Sequence, residues 1–211
     1  MITIAIAKGR LQDAALELLA RAHIEIGADQ VASRKLAIGD QSGRYQFIFV
    51  KPADVPVYVE HGIADCGVVG RDVLMESEAD LLVPLDLQIA KCRMIVAGRD
   101  RQPFSNFGML RVATKYPRLA TSHFGGRGIP VEIIQLSGSV ELAPLLGLAD
   151  CIVDLMETGR TLAENGLTVI EEIAASSGRF VVNRASYQLK AEAIAELIRD
   201  LNEALSKGVS K

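Results

Sequence analysis

The sequence has no tryptophan, 5% aromatic residues, and only three cysteines and three histidines among 211 residues. Each scarcity excludes something. Cys66, Cys92 and Cys151 are odd in number, share no metal-ligand spacing and lie among apolar, strand-like neighbours. They read as small buried hydrophobes in a reducing compartment, not as a disulfide framework. His23, His61 and His123 are scattered without a His-Glu-x-x-His pattern, so a protein-held zinc is not expected. No apolar run approaches the ~20 residues of a membrane span. The start, MITIAIAKGR, has no basic region ahead of its short apolar run, so it reads as a first strand and not as a secretory signal. Charge of one sign is also missing. The 23 Lys and Arg nearly balance 26 Asp and Glu, for a formal net charge of −3. That argues against a general nucleic-acid binder and confines any anion site to a local basic cluster. With 49% hydrophobic and 23% charged residues, a soluble, cytoplasmic, globular chain is expected. It is long enough for one large domain or two small lobes.

What is present is an alternation of strand and helix signals. Ile2–Ala7 reads as a strand, and residues 11–22 as a helix with Leu11, Ala15, Leu18, Leu19 and Ala22 on one face. Residues 36–39 and 45–50 read as a hairpin around Asp40-Gln41-Ser42-Gly43, residues 140–146 as a helix, and 187–206 as one long amphipathic helix. Buried strands alternating with helices predict an α/β fold of parallel sheets covered by helices. The polar stretch at residues 100–108 suggests a break between two lobes, which would face each other across a cleft and bind ligands at the carboxyl ends of their strands.

One stretch carries the chemistry: residues 136–166, LSGSVELAPLLGLADCIVDLMETGRTLAENG. Residues 149–154 read as a short buried strand that ends in the carboxylate of Asp154. Thr158-Gly159-Arg160-Thr161 reads as the opening of a helix. A helix start offers unpaired N–H groups, a glycine allows an anion close to the backbone, and hydroxyls add donors. Arg160 adds charge, and Asp154 can accept hydrogen bonds from vicinal sugar hydroxyls. The pattern suits a sugar phosphate. By itself it also suits an ordinary threonine-capped helix, and Glu141 an ordinary acid in a first helical turn.

In its motifs the chain resembles the short form of the ATP phosphoribosyltransferase catalytic subunit, the first enzyme of histidine biosynthesis. The marks are Ala7-Lys8-Gly9-Arg10-Leu11, residues 49–56 (FVKPADVP), residues 62–70 (GIADCGVVG), Cys92-Arg93, residues 113–117 (ATKYP), Ser137-Gly138-Ser139-Val140-Glu141, and residues 154–161, in order over nearly the whole chain. The resemblance implies transfer of the 5-phosphoribosyl group of 5-phosphoribosyl-1-pyrophosphate (PRPP) to N1 of ATP, with loss of pyrophosphate and a need for Mg2+. It implies two α/β lobes of periplasmic-binding-protein type with two crossover connections: residues 1–91 plus 170–211 on the ATP and pyrophosphate side, residues 92–169 holding the PRPP 5-phosphate loop.

The resemblance also implies roles. Asp154 would hold the ribose hydroxyls. Glu157, Thr158, Gly159, Arg160 and Thr161 would form the phosphate loop, and Glu141 would touch ribose or magnesium. Lys8, Arg10, Arg21 and Arg44 would be catalytic, with Lys8, Gly9 and Lys51 facing nucleotide or pyrophosphate. Asp65, Arg71, Arg93 and Lys115 match without an assigned role. The chain ends at Lys211, where longer members continue into a histidine-sensing domain; the short form implies a separate regulatory subunit related to histidyl-tRNA synthetase, a hetero-octamer and a catalytic-subunit dimer. Two rival readings stand beside this one. A phosphoribosyltransferase of the common Rossmann-like class should show two adjacent acids, but Asp154 is followed by Leu155. A non-catalytic two-lobe module would bind a small anion and release it unchanged.

Overall fold

The alternation resolves into two sheets, each with its own core. A computed structural model describes residues 1–27, 37–99 and 108–208. The first compact unit comprises Met1–Ala90 and Ser177–Lys211, the second Lys91–Ser176. In the first, β1 (Ile2–Ala7), α1 (Arg10–Arg21), β2 (Ala37–Gly39), β3 (Tyr45–Val50), α2 (Asp54–Glu60), β4 (Cys66–Gly70), α3 (Arg71–Ser77) and β5 (Leu82–Asp86) run in sequence. The second holds β6 (Cys92–Gly98), β7 (Leu110–Thr114), α4 (Pro117–Gly125), β8 (Val131–Gln135), α5 (Leu142–Leu145), β9 (Cys151–Met156), α6 (Arg160–Glu164) and β10 (Thr168–Ser176). The chain then returns to the first unit with β11 (Gly178–Val182), α7 (Arg184–Leu189) and α8 (Ala191–Gly208).

The first sheet has the order β2-β3-β1-β4-β11-β5. β1 pairs in parallel with β3 and with β4, while β2 and β11 add antiparallel partners. The sequence ITIAIA explains the centre. Ile2, Ile4 and Ile6 pack with Leu18 and Leu19 of α1 and with Ile194, Leu197 and Leu201 of α8. Ala5 and Ala7 face the other way, where Val55 and Val59 of α2 come close. Large residues on one face and small ones on the other set how near each helix layer can lie. Each fully buried Ile or Leu contributes about 1.5–3 kcal/mol relative to exposure.

The second sheet has the order β10-β6-β9-β7-β8. β7 is parallel to both β8 and β9, whereas β6 runs against β9 and β10 runs against β6. Ala120 and Phe124 of α4 cover Leu110, Val112, Cys151 and Val153 on one face. Val140, Ala143 and Leu162 cover Ile95, Ala97, Ile152 and Met156 on the other. All three cysteines are buried thiols. Burial pushes the Cys151 thiol up to about 12, so it stays protonated and packs as a hydrophobe.

Three elements differ from the sequence expectation. The return to the first unit comes at Ser177, not at residue 170, because β10 stays hydrogen-bonded to β6 from Thr168–Gly98 to Ser176–Cys92. The long terminal helix is broken at Lys190 (φ −123°, ψ 34°), which separates α7 from α8. The helix at residues 140–146 shrinks to the four residues of α5. The polar break at 100–108 lies, apart from Gly108, outside the described residues, as does residue 36 of the expected hairpin.

At the break, Lys190 is anchored to the sheet. Its ammonium lies 2.7 Å from Oδ2 of Asp65 and 3.2 Å from the Met1 carbonyl. Asp65 is 6% exposed, just ahead of β4. It also accepts from the Thr3 N–H at 2.8 Å and from the Ser186 hydroxyl at 2.7 Å. Asn183 caps α7 by accepting from the Ser186 N–H, while its amide donates to the Val59 and Glu60 carbonyls at the end of α2. One carboxylate and one amide thus tie the returning helices to the sheet.

Burial alone would raise the Asp65 carboxyl, but Lys190, the Thr3 N–H and Ser186 outweigh it and hold the pKa below the ordinary value. The contribution is therefore complete above the unfolded value of about 3.9 and is lost as pH falls through the lower folded value. We expect Asp65→Asn to cost about 2 kcal/mol at neutral pH, less than the ~3–5 of a fully buried pair because Lys190 is half-exposed. Urea unfolding across pH 3–7 should show a flatter acid limb for the variant. Parallel curves for the two proteins would remove this network from the stability of the fold.

Candidate functional site

Parallel pairing decides where loops gather. β7, β8 and β9 end on one edge of the second sheet, with Thr114 in register with both Gln135 and Val153. The loops leaving that edge carry Lys115, the 136–141 turn with Glu141, and residues 157–159. The Thr114 hydroxyl donates to the Val153 carbonyl at 2.7 Å and accepts from the Tyr116 N–H at 2.8 Å. β7 therefore turns away at this level. β9 continues past it through Asp154, Leu155 and Met156, paired on its other side with β6. Asp154 is half-buried on this extension, and its Oδ1 accepts from the Leu155 N–H at 2.8 Å.

The loop from β9 to α6 is set by Gly159. Its φ of 79° is left-handed, and a Cβ there would come 3.1 Å from Sδ of Met156. A side chain would be strained at this turn. Glu157, Thr158, Arg160 and Thr161 are exposed around it. Two details correct the sequence reading. The helix begins at Arg160 and is only five residues long, so its dipole is small and any anion is met by local N–H groups and hydroxyls. The Arg160 guanidinium lies along its own helix, 2.7 Å from Glu164, with both side chains exposed. An exposed pair of that kind is worth ~0–1 kcal/mol and is readily exchanged for a ligand.

In the first sheet β1, β3 and β4 also end on one edge. Ala7 is in register with Val50, and the Lys8 N–H donates to the Val50 carbonyl at 2.8 Å, so the Lys8 and Lys51 loops lie side by side. Gly9 takes φ 94° and ψ −150°, which only glycine adopts readily, and the α1 N-terminus opens onto this edge with Arg10. Lys8, Gly9, Arg10 and Lys51 are all exposed here. A basic edge with uncapped helix N–H groups attracts anions.

Arg21 and Arg44 are not part of that group. α1 runs back along the sheet for about 18 Å and delivers Arg21 to the amino-terminal edge. Arg44 precedes the first residue of β3 on the same edge. Both line a pocket there with His23, Tyr45, Asp200 and Lys207. Arg44 pairs with Glu196 of α8 at 2.8 Å, and its guanidinium lies 5.4 Å from the centre of the Tyr45 ring. Asp65 is likewise on the amino edge, engaged as described.

Arg93 and Lys115 do reach the carboxyl edge of the second sheet, although sequence reasoning left both without a role. Lys115 directly follows β7. Arg93 is harder to find, because it lies at the start of a strand. β6 runs against β9, so its first residues share an edge with the last residues of β9, and Arg93 is in register with Met156. Scanning for strand ends misses such a residue; the signal is the Cys92-Arg93 pair opening an apolar run.

The HisG family model, ATP phosphoribosyltransferase, matches residues 51–203. The ATP phosphoribosyltransferase of Geobacillus sp. (strain WCH70) is 50% identical over 205 residues, 97% of this chain and 99% of that one. Among solved structures, a chain of the ATP phosphoribosyl transferase (HisG:HisZ) complex from Thermotoga maritima is similar with a TM-score of 0.86 and 36% identity, covering 98% of this chain and 100% of that chain. The periplasmic aliphatic sulphonate binding protein SsuA from Escherichia coli shares the fold alone, with a TM-score of 0.58 and 12% identity over 97% of this chain and 72% of that one. The two-sheet architecture is thus that of periplasmic binding proteins, and the chain belongs to the ATP phosphoribosyltransferase family.

Proposed function

We propose that this chain transfers the 5-phosphoribosyl group of PRPP to N1 of ATP, releasing pyrophosphate, as the first step of histidine biosynthesis. The observation that carries the reading is Asp154 on the end of β9 that runs past β7 while still paired with β6, three residues before the Glu157–Thr161 loop, in a chain of this family. The bond from C1 of the ribose to the pyrophosphate oxygen breaks, and the bond from C1 to adenine N1 forms on the opposite face. The centre passes through oxocarbenium character, and the leaving group gathers negative charge. No covalent nucleophile is required; positioning and preorganised charge supply the acceleration.

In this reading Asp154 accepts from the ribose hydroxyls and fixes the ring. The N–H groups at Gly159, Arg160 and Thr161, with the hydroxyls of Thr158 and Thr161, hold the 5-phosphate, and Glu157 flanks the loop. The second unit thus serves PRPP. Lys8, Gly9, Arg10 and Lys51, on the carboxyl edge of the first sheet, serve ATP and the departing pyrophosphate. Arg21 and Arg44, to which the resemblance also gives a catalytic role, lie on the opposite edge of the first sheet. Adenine N1 is weakly basic, so no strong proton acceptor is needed beside it.

Members of the family need a divalent metal, and we propose Mg2+. Among the described residues no three His, Cys, Asp or Glu side chains converge into a protein cage. Magnesium held mainly by substrate oxygens needs only one or two carboxylates, and Glu141 and Asp154, both on loops or strand ends of this edge, are suited to that share. When bound it would neutralise charge on the leaving pyrophosphate.

We also propose a cytoplasmic enzyme that forms a catalytic dimer and assembles with a regulatory subunit related to histidyl-tRNA synthetase, as a hetero-octamer. The similar Thermotoga chain, whose complex contains a second component, supports this. Among the described residues no helix is long and apolar enough to cross a membrane. A non-catalytic anion module is the alternative, and it differs in outcome: incubation with ATP, PRPP and magnesium should yield phosphoribosyl-ATP by mass spectrometry and stoichiometric pyrophosphate, whereas unchanged ligands would favour the module.

Two variants test the site. Thr161→Val should weaken PRPP binding by about 1.5–3 kcal/mol, the value of a hydrogen bond to a charged group; unchanged PRPP affinity would remove the loop from the site. Arg10→Ala should lower kcat by about 10²–10³, the scale of losing one donor to a developing oxyanion. An effect confined to KM would reassign Arg10 to ground-state contact.

A further inference from the structure

Glu171 and Glu172 are adjacent, yet they serve opposite faces of the second sheet. β10 carries two register shifts, between Val169 and Glu171 and between Glu172 and Ala174. Glu171 is in register with Val96 and turns to α4, where it meets His123 at 2.7 Å and also Arg127. Glu172 is in register with Ile95 and meets Arg93 at 3.1 Å, with both side chains about half-exposed. The first cluster is enclosed between a helix and the sheet. The second is not.

The levels of the sheet show what lies beside Arg93. Ile95 of β6 is in register with Asp154 of β9, and Arg93 with Met156. Residues in register share a face, and so do residues two apart on one strand. Asp154, Met156 and Arg93 therefore share the face covered by α6, with Arg93 on the diagonal from Asp154. Such diagonals span about 7–8 Å and are within reach of long side chains. Met156 is the last residue before the 157–159 loop. The acids Glu141, Asp154, Glu157 and Glu172 crowd this edge, and the cations brought to it are Arg93, Lys115 and the highly exposed Arg160. A phosphate dianion settling here needs a side-chain cation. Arg93 has a planar fork that suits phosphate, and among the described residues its guanidinium is held by an exposed pair of little worth. A β-bulge beside it is a feature enriched next to active sites.

We propose that Arg93 contacts the 5-phosphate of PRPP, leaving Glu172 to do so. The inference rests on residues 154–161 forming the phosphoribosyl site. Glu172 acts as the resting partner, and Arg93 binds substrate and product alike through a group the reaction leaves intact. Its effect should appear in affinity for the phosphoribosyl end and not in turnover.

The test is steady-state kinetics of the whole chain and its R93A and E172Q variants, with ribose 5-phosphate and pyrophosphate as inhibitors. R93A should raise KM for PRPP and Ki for ribose 5-phosphate about tenfold or more, the scale of losing a charge-assisted hydrogen bond. KM for ATP and inhibition by pyrophosphate should hold, and E172Q should leave PRPP affinity unchanged or improved. If R93A and E172Q lose PRPP affinity equally, the pair is a cross-strand brace and the proposal falls. It also falls if R93A weakens pyrophosphate and spares ribose 5-phosphate. R93Q gives the same readout should R93A fail to fold. A wild-type chain that makes no phosphoribosyl-ATP would instead sink the reaction itself, whatever the variants do.

Discussion

Strand polarity is the constraint from which the site follows. Three parallel strands in the first unit and three in the second deliver their carboxyl ends to one edge of each sheet. Each parallel connection must climb back over the sheet, so the loops that leave these strands fall on that edge, whereas β11 ends and α7 begins on the opposite one. Lys8, Gly9, Arg10 and Lys51 gather on one such edge, Asp154 and the Glu157–Thr161 loop on the other. These residues are far apart in the sequence, and each lies at or just past the end of a parallel strand.

The antiparallel strands refine that plan. β6 carries the edge of the second sheet beyond the point where β7 turns away, so Asp154 keeps a regular backbone on one side while its other side borders loops. The same inversion of direction brings Arg93, at a strand start, to the edge where other strands finish. In the first unit β11 and the helices after it close the sheet, and their attachment depends on Asp65 and Asn183 accepting and donating across long sequence separations. A buried carboxylate with three donors is favourable because its desolvation is offset at every oxygen.

The order of elements, the packing faces of ITIAIA and of α1, and the loop around Gly159 were legible in the sequence. Each depends on neighbours within a few residues: side-chain size alternation, helical spacing, and a glycine where φ must be positive. The site was legible in part. Lys8, Gly9, Arg10, Lys51, Glu141, Asp154 and the 157–161 loop all come to carboxyl edges, as the strand-loop-helix pattern suggested. Arg21 and Arg44 share with Lys8 and Arg10 the catalytic role that the resemblance implies, but not their place in the fold. A helix of twelve residues carries Arg21 the full depth of the sheet, and Arg44 precedes its strand instead of following it.

By itself, then, the sequence determined the class of fold, the family and the chemistry of the loops, because short-range pattern and motif order carry that information. The tertiary structure alone decided which edge each charge occupies, where the chain returns between units, and what partners hold Asp65, Arg93 and Arg160. Those outcomes depend on strand pairing and register between residues far apart in the chain, and no local pattern of residues encodes the direction in which a distant strand will run.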